Sequence, residues 1–296
     1  MTFTHAVSTD NYGPAKWIVD QSAANGTHTT IQAAITSASA GDTIFIRPGT
    51  YTENLTLKSG VSFAGFTTSG SNVTIIVGTM IDNGVTVGAF FNNIFFQTNS
   101  NTILTLTGGT SDIRFTNCNL QATNNTAVSV GSGCTVTLNN CTGDLGTTGI
   151  ALWTGAGAVS CLYSNFTNSG SSTTASSTTG SVSLFYSTVS VPLASSGASG
   201  ITVDNCFIDN HLTNATGLTT SGTVLANVNN SIFLSGSASC ISIGSGTTVN
   251  ASNLIANSSN TNVLTGSGTL NYSFITFAGS SSGHNVTTEN ALATLI

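Results

Sequence analysis

The sequence repeats with a period of about 22 residues, and this period constrains the fold more than any other feature. Residues 113–118, 136–141 and 201–206 align as alternating apolar strands that end in Asn and then Cys. The small-residue slot recurs through the chain, and we assign it to Cys118, Cys141, Ser164, Ser187, Cys206, Ser231, Ser252 and Ser273. A fixed period of this length is typical of solenoid proteins, in which each repeat forms one coil.

Between the turns, apolar residues alternate with Ser, Thr or Asn, as in residues 126–130 and 239–243. This alternation predicts half-buried β-strands, separated by corners at which glycine supplies a positive φ. Strands that stack coil upon coil predict a parallel β-helix, with about ten to eleven coils between residues 43 and 277. Residues 169–180 are rich in Ser, Thr and Gly, and we expect them to form a loop that bulges from one coil.

The composition agrees with stacked coils. Of 296 residues, 4 are Lys or Arg and 10 are Asp or Glu, and the net charge is -6. A charge repeated on every coil would repel itself, whereas Asn, Ser, Thr and Cys ladders hydrogen-bond or pack. The scattered cations form no basic patch, which excludes nucleic acid as a partner, and the apolar stretches are too short to span a membrane.

The chain offers no motif for a metal or a cofactor, and we expect neither. Its six cysteines lack the C-x-x-C spacing of zinc sites. We interpret them as small buried residues, with disulfides as the alternative. The first residues lack a basic segment followed by an apolar one, so we expect no cleaved secretory signal.

Residues 29–39 predict a short helix that covers the N-terminal end of the β-helix. Ile31, Ala34, Ile35 and Ala38 fall on one helical face, and Thr29 or Thr30 can cap the helix. Such a cap is needed because an open end exposes backbone groups and apolar interior. We therefore divide the chain into an N-terminal segment with the capping helix (1–40), the parallel β-helix (41–280) and a C-terminal cap or contact tail (281–296).

Residues 30–66 read TIQAAITSASAGDTIFIRPGTYTENLTLKSGVSFAGF. This series resembles the start of pectin-lyase-like proteins: a capping helix, a Gly-Asp turn, a strand, a Pro-Gly-Thr-Tyr corner and a second strand. The resemblance implies an all-β fold, a single-stranded right-handed parallel β-helix. Lyases, hydrolases, adhesins and phage tail proteins share this fold, so the resemblance implies no single activity.

Residues 5–19, joined to that cap, also resemble the start of β-helical tail-fibre or appendage proteins predicted in bacteriophage genomes. This resemblance implies a virion protein made in the host cytoplasm. It further implies a homotrimer whose partners include other virion proteins. An extracellular or cell-surface location is the alternative.

Asp204, Asp209 and His211 share one coil and are the candidates for a catalytic or metal site. Asp209 and His211 lie two residues apart at a predicted corner, where a plain surface turn is the alternative. Asp144 falls on the same side as Asp209 but three coils away, which is about 14 Å and too far for a carboxylate pair.

Other charged residues have simpler interpretations. Asp112 and Arg114 lie on the same side of one strand and predict an exposed ion pair. Arg47 belongs to the cap turn, where we expect it to pair with Asp42 or Glu53.

The sequence leaves three functional hypotheses. The first is a non-catalytic structural or receptor-binding protein of a bacteriophage virion, such as a tail fibre, spike or head appendage, that contacts host surface glycan. The second is a polysaccharide depolymerase whose acids are assembled across subunit interfaces. The third is a bacterial surface adhesin or filament subunit. Four aromatic residues could stack on sugars or could belong to the core or a subunit interface: Trp17, Trp153, Tyr163 and Tyr186.

Overall fold

The computed structural model describes residues 17–22, 25–70, 72–146, 151–168, 176–197, 199–212, 215–259, 262–278 and 283–291. In these residues the chain is nearly all β-strand, with one short helix, α1 (Ile31–Ser37). The strands stack into a right-handed parallel β-helix of about 10 coils, which confirms the predicted fold class.

The first strands are β1 (Trp17–Val19), β2 (Thr43–Ile46), β3 (Gly49–Thr52), β4 (Leu55–Thr56), β5 (Ser62–Ala64), β6 (Thr74–Val77), β7 (Met80–Ile81), β8 (Gly88–Asn92), β9 (Phe95–Thr98) and β10 (Leu104–Leu106). The middle strands are β11 (Asp112–Thr116), β12 (Asn119–Ala122), β13 (Val128–Val130), β14 (Thr135–Asn139), β15 (Thr142–Asp144), β16 (Trp153–Gly155), β17 (Ala158–Leu162), β18 (Asn165–Thr167), β19 (Ser176–Thr178), β20 (Val182–Phe185) and β21 (Thr188–Val189). The last strands are β22 (Leu193–Gly197), β23 (Ile201–Asp204), β24 (Phe207–Asn210), β25 (Leu218–Gly222), β26 (Leu225–Asn229), β27 (Ile232–Ser235), β28 (Ile241–Ile243), β29 (Thr248–Ser258), β30 (Asn262–Ala278) and β31 (Gly283–Ala291).

Each coil contributes one strand to each of three faces. The first face runs through β8, β11, β14, β17, β20, β23 and β26, and the second through β9, β12, β15, β18, β21, β24 and β27. The third face begins as a separate five-stranded sheet of β4, β7, β10, β13 and β16. The long strands β29 and β30 run through more than one face without a break, so hydrogen bonds join the faces at that end.

The interior is filled by one column of side chains per inward position. Phe63, Phe91 and Phe115 lie in register on successive coils and are at most 1% exposed. Their rings stack with centroids 4.6 and 5.1 Å apart, and we call them the interior phenylalanine stack. Burying a side chain of this size stabilises the fold by roughly 1.5–3 kcal/mol, so the stack is a large contributor to the N-terminal core.

The sharp corner between the first and second faces is built by residues with a left-handed backbone. Their φ angles lie between 48° and 56°, and Asn is the commonest residue among them. Asn tolerates this conformation better than most residues, and its side chains hydrogen-bond along the rod, as from Asn140 Nδ2 to Asn117 Oδ1 at 2.7 Å. We call the column the corner ladder: Asn93, Asn117, Asn140, Tyr163, Tyr186, Asn205, Asn230, Asn253 and Phe274.

The small-residue slot of the repeat is the inward residue that follows each corner. Ser hydroxyls in this slot accept hydrogen bonds from the preceding coil, as Ser164 does from Cys141 N at 3.1 Å. The assignment of Ser252 and Ser273 to this slot is wrong, because Ser252 pairs with Asn229 and lies one residue before the Asn253 corner. A shift of two residues keeps the same side of a strand, so alternation alone does not reveal it. The slot is filled there by Leu254 and Ile275.

The capping helix lies where the sequence predicts it. Thr30 is its N-cap and accepts a hydrogen bond from Ala33 N, and Ile31, Ala34, Ile35 and Ala38 are buried as expected. Glu53 binds the same helix end, since its carboxylate accepts hydrogen bonds from the backbone N–H groups of residues 31 and 32 at 2.8 and 3.0 Å. A negative charge there also complements the helix dipole, so the first coil holds the cap in place.

The expected partners of Arg47 are wrong. Its Nε lies 3.4 Å from Asp20 Oδ2. Glu53 is engaged by the helix, and Asp42 accepts a hydrogen bond from Trp17 Nε1 at 2.8 Å. The cap turn brings these groups together from segments that are distant in sequence, which local spacing does not encode.

Two segments that we expected to lie outside regular coils contribute strands. Ser176–Thr178, at the end of the expected bulging loop, forms β19 and pairs with β22. Gly283–Ala291, in the expected tail, forms β31 and pairs with β30. Residues 169–175 and 292–296 lie outside the described residues.

All six cysteines are buried and free, which confirms their interpretation as small interior residues. Within the residues that the structure describes, no helix combines the length and apolar character needed to cross a bilayer.

Candidate functional site

Two tyrosines interrupt the corner ladder on successive coils. Tyr163 and Tyr186 occupy positions where the coils on either side carry Asn140 and Asn205. Their side chains point outward, 60% and 54% exposed, and their rings stack with centroids 5.2 Å apart and an interplanar angle of 12°. We call this pair the tyrosine stack.

The two tyrosines cost the fold free energy that the asparagine corners avoid. A bulky residue with positive φ is an outlier, and holding a non-glycine residue in a sparsely populated backbone region costs of order 1–3 kcal/mol. Stacking of the two rings returns about 0.5–1.5 kcal/mol, and rings that are more than half exposed gain little from burial. Packing therefore does not explain why tyrosine stands here.

A shallow groove of 380 Å³ continues from the tyrosine stack along the rod. Its walls come from the corner ladder and from the first residues of the second face on three successive coils. The side chains that shape it are Tyr186, Thr188, Asn205, Phe207, Asn230 and Ile232. The groove thus combines apolar surface with amide and hydroxyl groups, and no lining residue carries a formal charge.

Asp204 directly precedes the Asn205 corner and holds two amides of the groove in position. Its Oδ1 accepts hydrogen bonds from Asn205 Nδ2 at 3.1 Å and from Asn230 Nδ2 at 3.2 Å. Asn230 Oδ1 in turn accepts from Asn253 Nδ2 at 3.1 Å. The carboxylate that we named as a catalytic candidate therefore orients two groove residues, and its contacts are those of a positioning group.

Asp209 and His211 are brought together, as their spacing predicts. Asp209 Oδ1 contacts His211 Nδ1 and also accepts a hydrogen bond from His211 N at 3.2 Å. The imidazole is 52% exposed at a surface turn. Asp204 lies on the other side of the Asn205 corner with different partners, so the three candidates divide into one pair and one separate carboxylate.

The pair is not accompanied by a second acid on the neighbouring coils. Asp209 pairs with Leu234 in the next coil, and the sequence has no other Asp or Glu between residues 145 and 288 than Asp204. Hydrolysis by two carboxylates needs them about 5–9.5 Å apart across the substrate. No group of three His, Cys, Asp or Glu side chains that could hold a metal ion occurs among the described residues.

Two of the buried thiols, Cys161 and Cys240, are unsuited to nucleophilic chemistry. Burial raises the pKa of Cys240 to about 12 and shifts the pKa of Cys161 upward as well. A thiol is reactive only as a thiolate, so these cysteines stay protonated and inert.

The four aromatic residues that we named as possible sugar contacts differ in their exposure to solvent. Trp153 is 1% exposed and belongs to the core, while Trp17 is half-buried, bonded to Asp42, and meets His28 edge to face. Of these four, the two tyrosines are the ones whose side chains are more than half exposed. The sequence contains the signal for them, because Tyr-Ser stands at 163–164 and 186–187 where other repeats have Asn-Cys.

The chain is similar in structure to three carbohydrate-related proteins. For the A-module of mannuronan C-5 epimerase AlgE6 from Azotobacter vinelandii, the TM-score is 0.55 at 12% identity, over 88% of this chain and 94% of that one. For the catalytic unit of a GH87 α-1,3-glucanase from Streptomyces thermodiastaticus, it is 0.57 at 12% identity, over 89% and 65%. For pectin methylesterase from carrot, it is 0.53 at 17% identity, over 95% and 88%.

At these identities the similarities show a shared fold and nothing finer. No protein-family model and no curated protein matches the sequence.

Proposed function

We propose that this protein is a non-catalytic, glycan-binding structural protein of a bacteriophage virion, and that the tyrosine stack and the adjoining groove contact the polysaccharide of the host surface. The observation that carries the proposal is the exposed ring pair at 163 and 186, held at a backbone position that disfavours tyrosine. Strained residues that packing does not explain occur mainly at functional sites.

The chemistry of the site supports a sugar ligand. A pyranose ring presents an apolar face of C–H groups and a rim of hydroxyls. The exposed tyrosine rings offer aromatic surface, and Asn205, Asn230 and Thr188 offer neutral hydrogen-bonding groups in the groove beside Tyr186. A ligand that needs both an apolar platform and polar contacts matches this combination.

The non-catalytic role is supported by the scarcity of acid–base groups. The depolymerase remains the second candidate because Asp209 and His211 do contact each other on an exposed turn. An exposed acid–imidazole pair without a second carboxylate on the adjacent coils suits a surface turn better than glycoside cleavage.

The virion location and the homotrimer belong to the same proposal and rest on the resemblance of residues 5–19, of which 5–16 lie outside the described residues. Sedimentation velocity of the purified chain gives the oligomeric state directly. A monomer at micromolar concentration contradicts the trimer, and absence of the protein from purified particles contradicts the virion location.

Affinity electrophoresis in gels that contain polysaccharide from bacterial surfaces tests the glycan contact. We expect retardation of the native protein and loss of retardation in the double variant Tyr163→Ala/Tyr186→Ala. If each ring contributes about 0.5–1.5 kcal/mol to binding, the double variant should bind roughly 5- to 150-fold more weakly.

Phe274→Ala is the matched control, because Phe274 is also an exposed aromatic residue of the corner ladder, 54% exposed with φ 55°, but lies beyond the groove. We expect it to bind like the native protein. Equal weakening by the control and the tyrosine variant would overturn the site, and no retardation of the native protein by any surface polysaccharide would overturn the proposed function.

The enzyme alternative is tested on the same polysaccharides by size-exclusion chromatography. Incubation should leave the chain length unchanged. Shortening that disappears in Asp209→Asn would replace the proposal by the depolymerase.

A further inference from the structure

We infer that the glycan bound at the tyrosine stack is a neutral polysaccharide, and that the site rejects chains of uronic acids or other anionic sugars. This inference rests on the proposed function and narrows it to one class of ligand. It follows from where the charges of the chain lie.

The cations of the sequence are all N-terminal to the site. They are Lys16, Arg47, Lys58 and Arg114, so residues 115–296 contain no Lys or Arg. Recognition of carboxylate or phosphate sugars in proteins relies on such side chains, and arginine above all gives paired hydrogen bonds to these groups. The half of the chain that carries the site has none to offer.

Arg114 is the cation that comes nearest in sequence, and it is not available to a ligand at the site. It pairs in register with Thr137 and then Ser160, which places it two coils, or about 10 Å along the rod, from the coil of Tyr163. Its guanidinium is also engaged by Asp112, with Nη2 2.7 Å from Oδ2. Screening at physiological salt acts over about 8 Å, so little of its charge reaches the groove.

The charges that do lie beside the groove are negative. Asp204 accepts hydrogen bonds from the side chains of Asn205 and Asn230, and Asp209 lies on the strand that begins with Phe207. An anionic chain in the groove would approach these carboxylates with no Lys or Arg nearby to offset the repulsion. Neutral sugar hydroxyls, by contrast, can accept from and donate to the amide and hydroxyl groups of the lining without any charge partner.

The test compares neutral and anionic polysaccharides of similar length on the native protein. Suitable probes are a dextran and a yeast mannan as neutral chains, and polygalacturonate and alginate as anionic chains, each in affinity electrophoresis at low and at physiological ionic strength. We expect at least about tenfold tighter binding of a neutral chain, dependent on both tyrosines and little changed by salt.

A designed variant sharpens the comparison. Thr188→Lys introduces one cation on the partly exposed lining of the groove. We expect it to gain affinity for polygalacturonate, most clearly at low ionic strength, while Thr188→Gln as the uncharged control does not.

The outcomes separate the two proposals. Tyrosine-dependent binding of polygalacturonate or alginate by the native protein, with no preference for neutral chains, overturns the inference while the proposed function stands. Failure of the native protein to bind either class, including the host polysaccharides used above, overturns both.

Discussion

The protein contains two aromatic stacks of nearly the same geometry, one inside the rod and one outside. In the interior phenylalanine stack the rings of Phe91 and Phe115 lie 5.1 Å apart at 14°, and in the tyrosine stack the rings lie 5.2 Å apart at 12°. The phenylalanines are at most 1% exposed, and the tyrosines more than half exposed. The stacking of successive coils is therefore enough to produce this ring geometry. The buried rings stabilise the core, whereas the exposed rings are available to a ligand.

Two carboxylates show the same contrast between a buried and an exposed position. In the N-terminal coils Asp82 is fully buried, and its carboxylate accepts hydrogen bonds from backbone N–H groups. In the C-terminal coils Asp209 contacts the exposed imidazole of His211 at a surface turn and accepts a hydrogen bond from the backbone N–H of the same residue. The buried carboxylate of Asp82 thus helps to build the fold, whereas the carboxylate of Asp209 lies at the surface.

The largest effect is expected from Phe91→Ala. Phe91 stacks on Phe63 and Phe115 and meets Phe96 edge to face, so its removal leaves a cavity on several sides. We expect the free energy of unfolding in denaturant to fall by about 3–5 kcal/mol. Phe91→Leu, which keeps most of the volume, should lose clearly less. A loss below 1 kcal/mol for the alanine variant would contradict the contrast between the two stacks.

A second comparison makes the same Asp→Asn substitution at a buried position and at an exposed turn. Asp82 accepts hydrogen bonds from the backbone N–H groups of Thr107, Gly108 and Gly84 and from the Thr107 hydroxyl. Asp82→Asn weakens these charge-assisted bonds and should cost about 1.5–3 kcal/mol of unfolding free energy. Asp209→Asn, at the exposed turn, should change stability by no more than about 0.5 kcal/mol. Equal costs at both positions would contradict this contrast.

The pH dependence of Asp82 has a definite sign. Burial by itself raises the pKa of Asp82, but the hydrogen bonds from Thr107, Gly108 and Gly84 outweigh it and hold the pKa below the ordinary 3.8. Since the unfolded carboxyl takes up a proton first, the stabilisation is complete above the unfolded pKa and is lost as pH falls through the folded pKa. Denaturant titrations from neutral pH downward should show this loss in the native protein and its absence in Asp82→Asn.

A smaller and opposite effect on stability is expected when both tyrosines are replaced by asparagine, the residue of most other corners. Tyr163→Asn/Tyr186→Asn relieves two strained positions and gives up one ring pair. We expect unfolding free energy to stay unchanged or rise by about 1 kcal/mol, while polysaccharide retardation is lost. A destabilised variant would mean that the tyrosines serve the fold after all.

The smallest effect concerns the ion pair on the first face. The Arg114 and Asp112 side chains are 61% and 42% exposed, so water and salt screen the pair. Arg114→Ala should lower the unfolding free energy by no more than about 0.5 kcal/mol, and less at high salt. A double-mutant cycle with Asp112→Ala measures the coupling, and a value well above 1 kcal/mol would contradict its description as a surface pair.

The architecture could be predicted from the sequence because stacking imposes the same requirement on every coil. The strands that contain Ile113, Val136 and Ile201 repeat one pattern of alternating apolar residues. The spacing of Ile31, Ala34 and Ile35 predicts the buried face of the capping helix. The assignment of Ser252 and Ser273 to the small-residue slot is wrong because a shift of two residues preserves the alternation. The corner residue Asn253 fixes the register there.

The groove could not be predicted in the same way. It depends on residues of three coils meeting at one corner, and on Asp204 turning two amides that lie 25 residues apart in sequence. The contact between Asp209 and His211 is predictable because the two residues are close together in the sequence. The pairing of Arg47 with Asp20 is not predictable in this way, because the two residues are distant in the sequence. What coil stacking brings together is visible from the sequence only after the corner of every repeat has been aligned.

The corner ladder also makes the rod adjustable in length. Successive corners have nearly the same backbone conformation, so residues 118–140 form one coil that follows the Asn117 corner and ends with the equivalent Asn140 corner. A duplication of that segment in the gene would add one coil, or about 4.8 Å, and leave the inward and outward positions of every later residue unchanged. A chain built this way can shift a surface site along its axis by whole steps without redesigning either end.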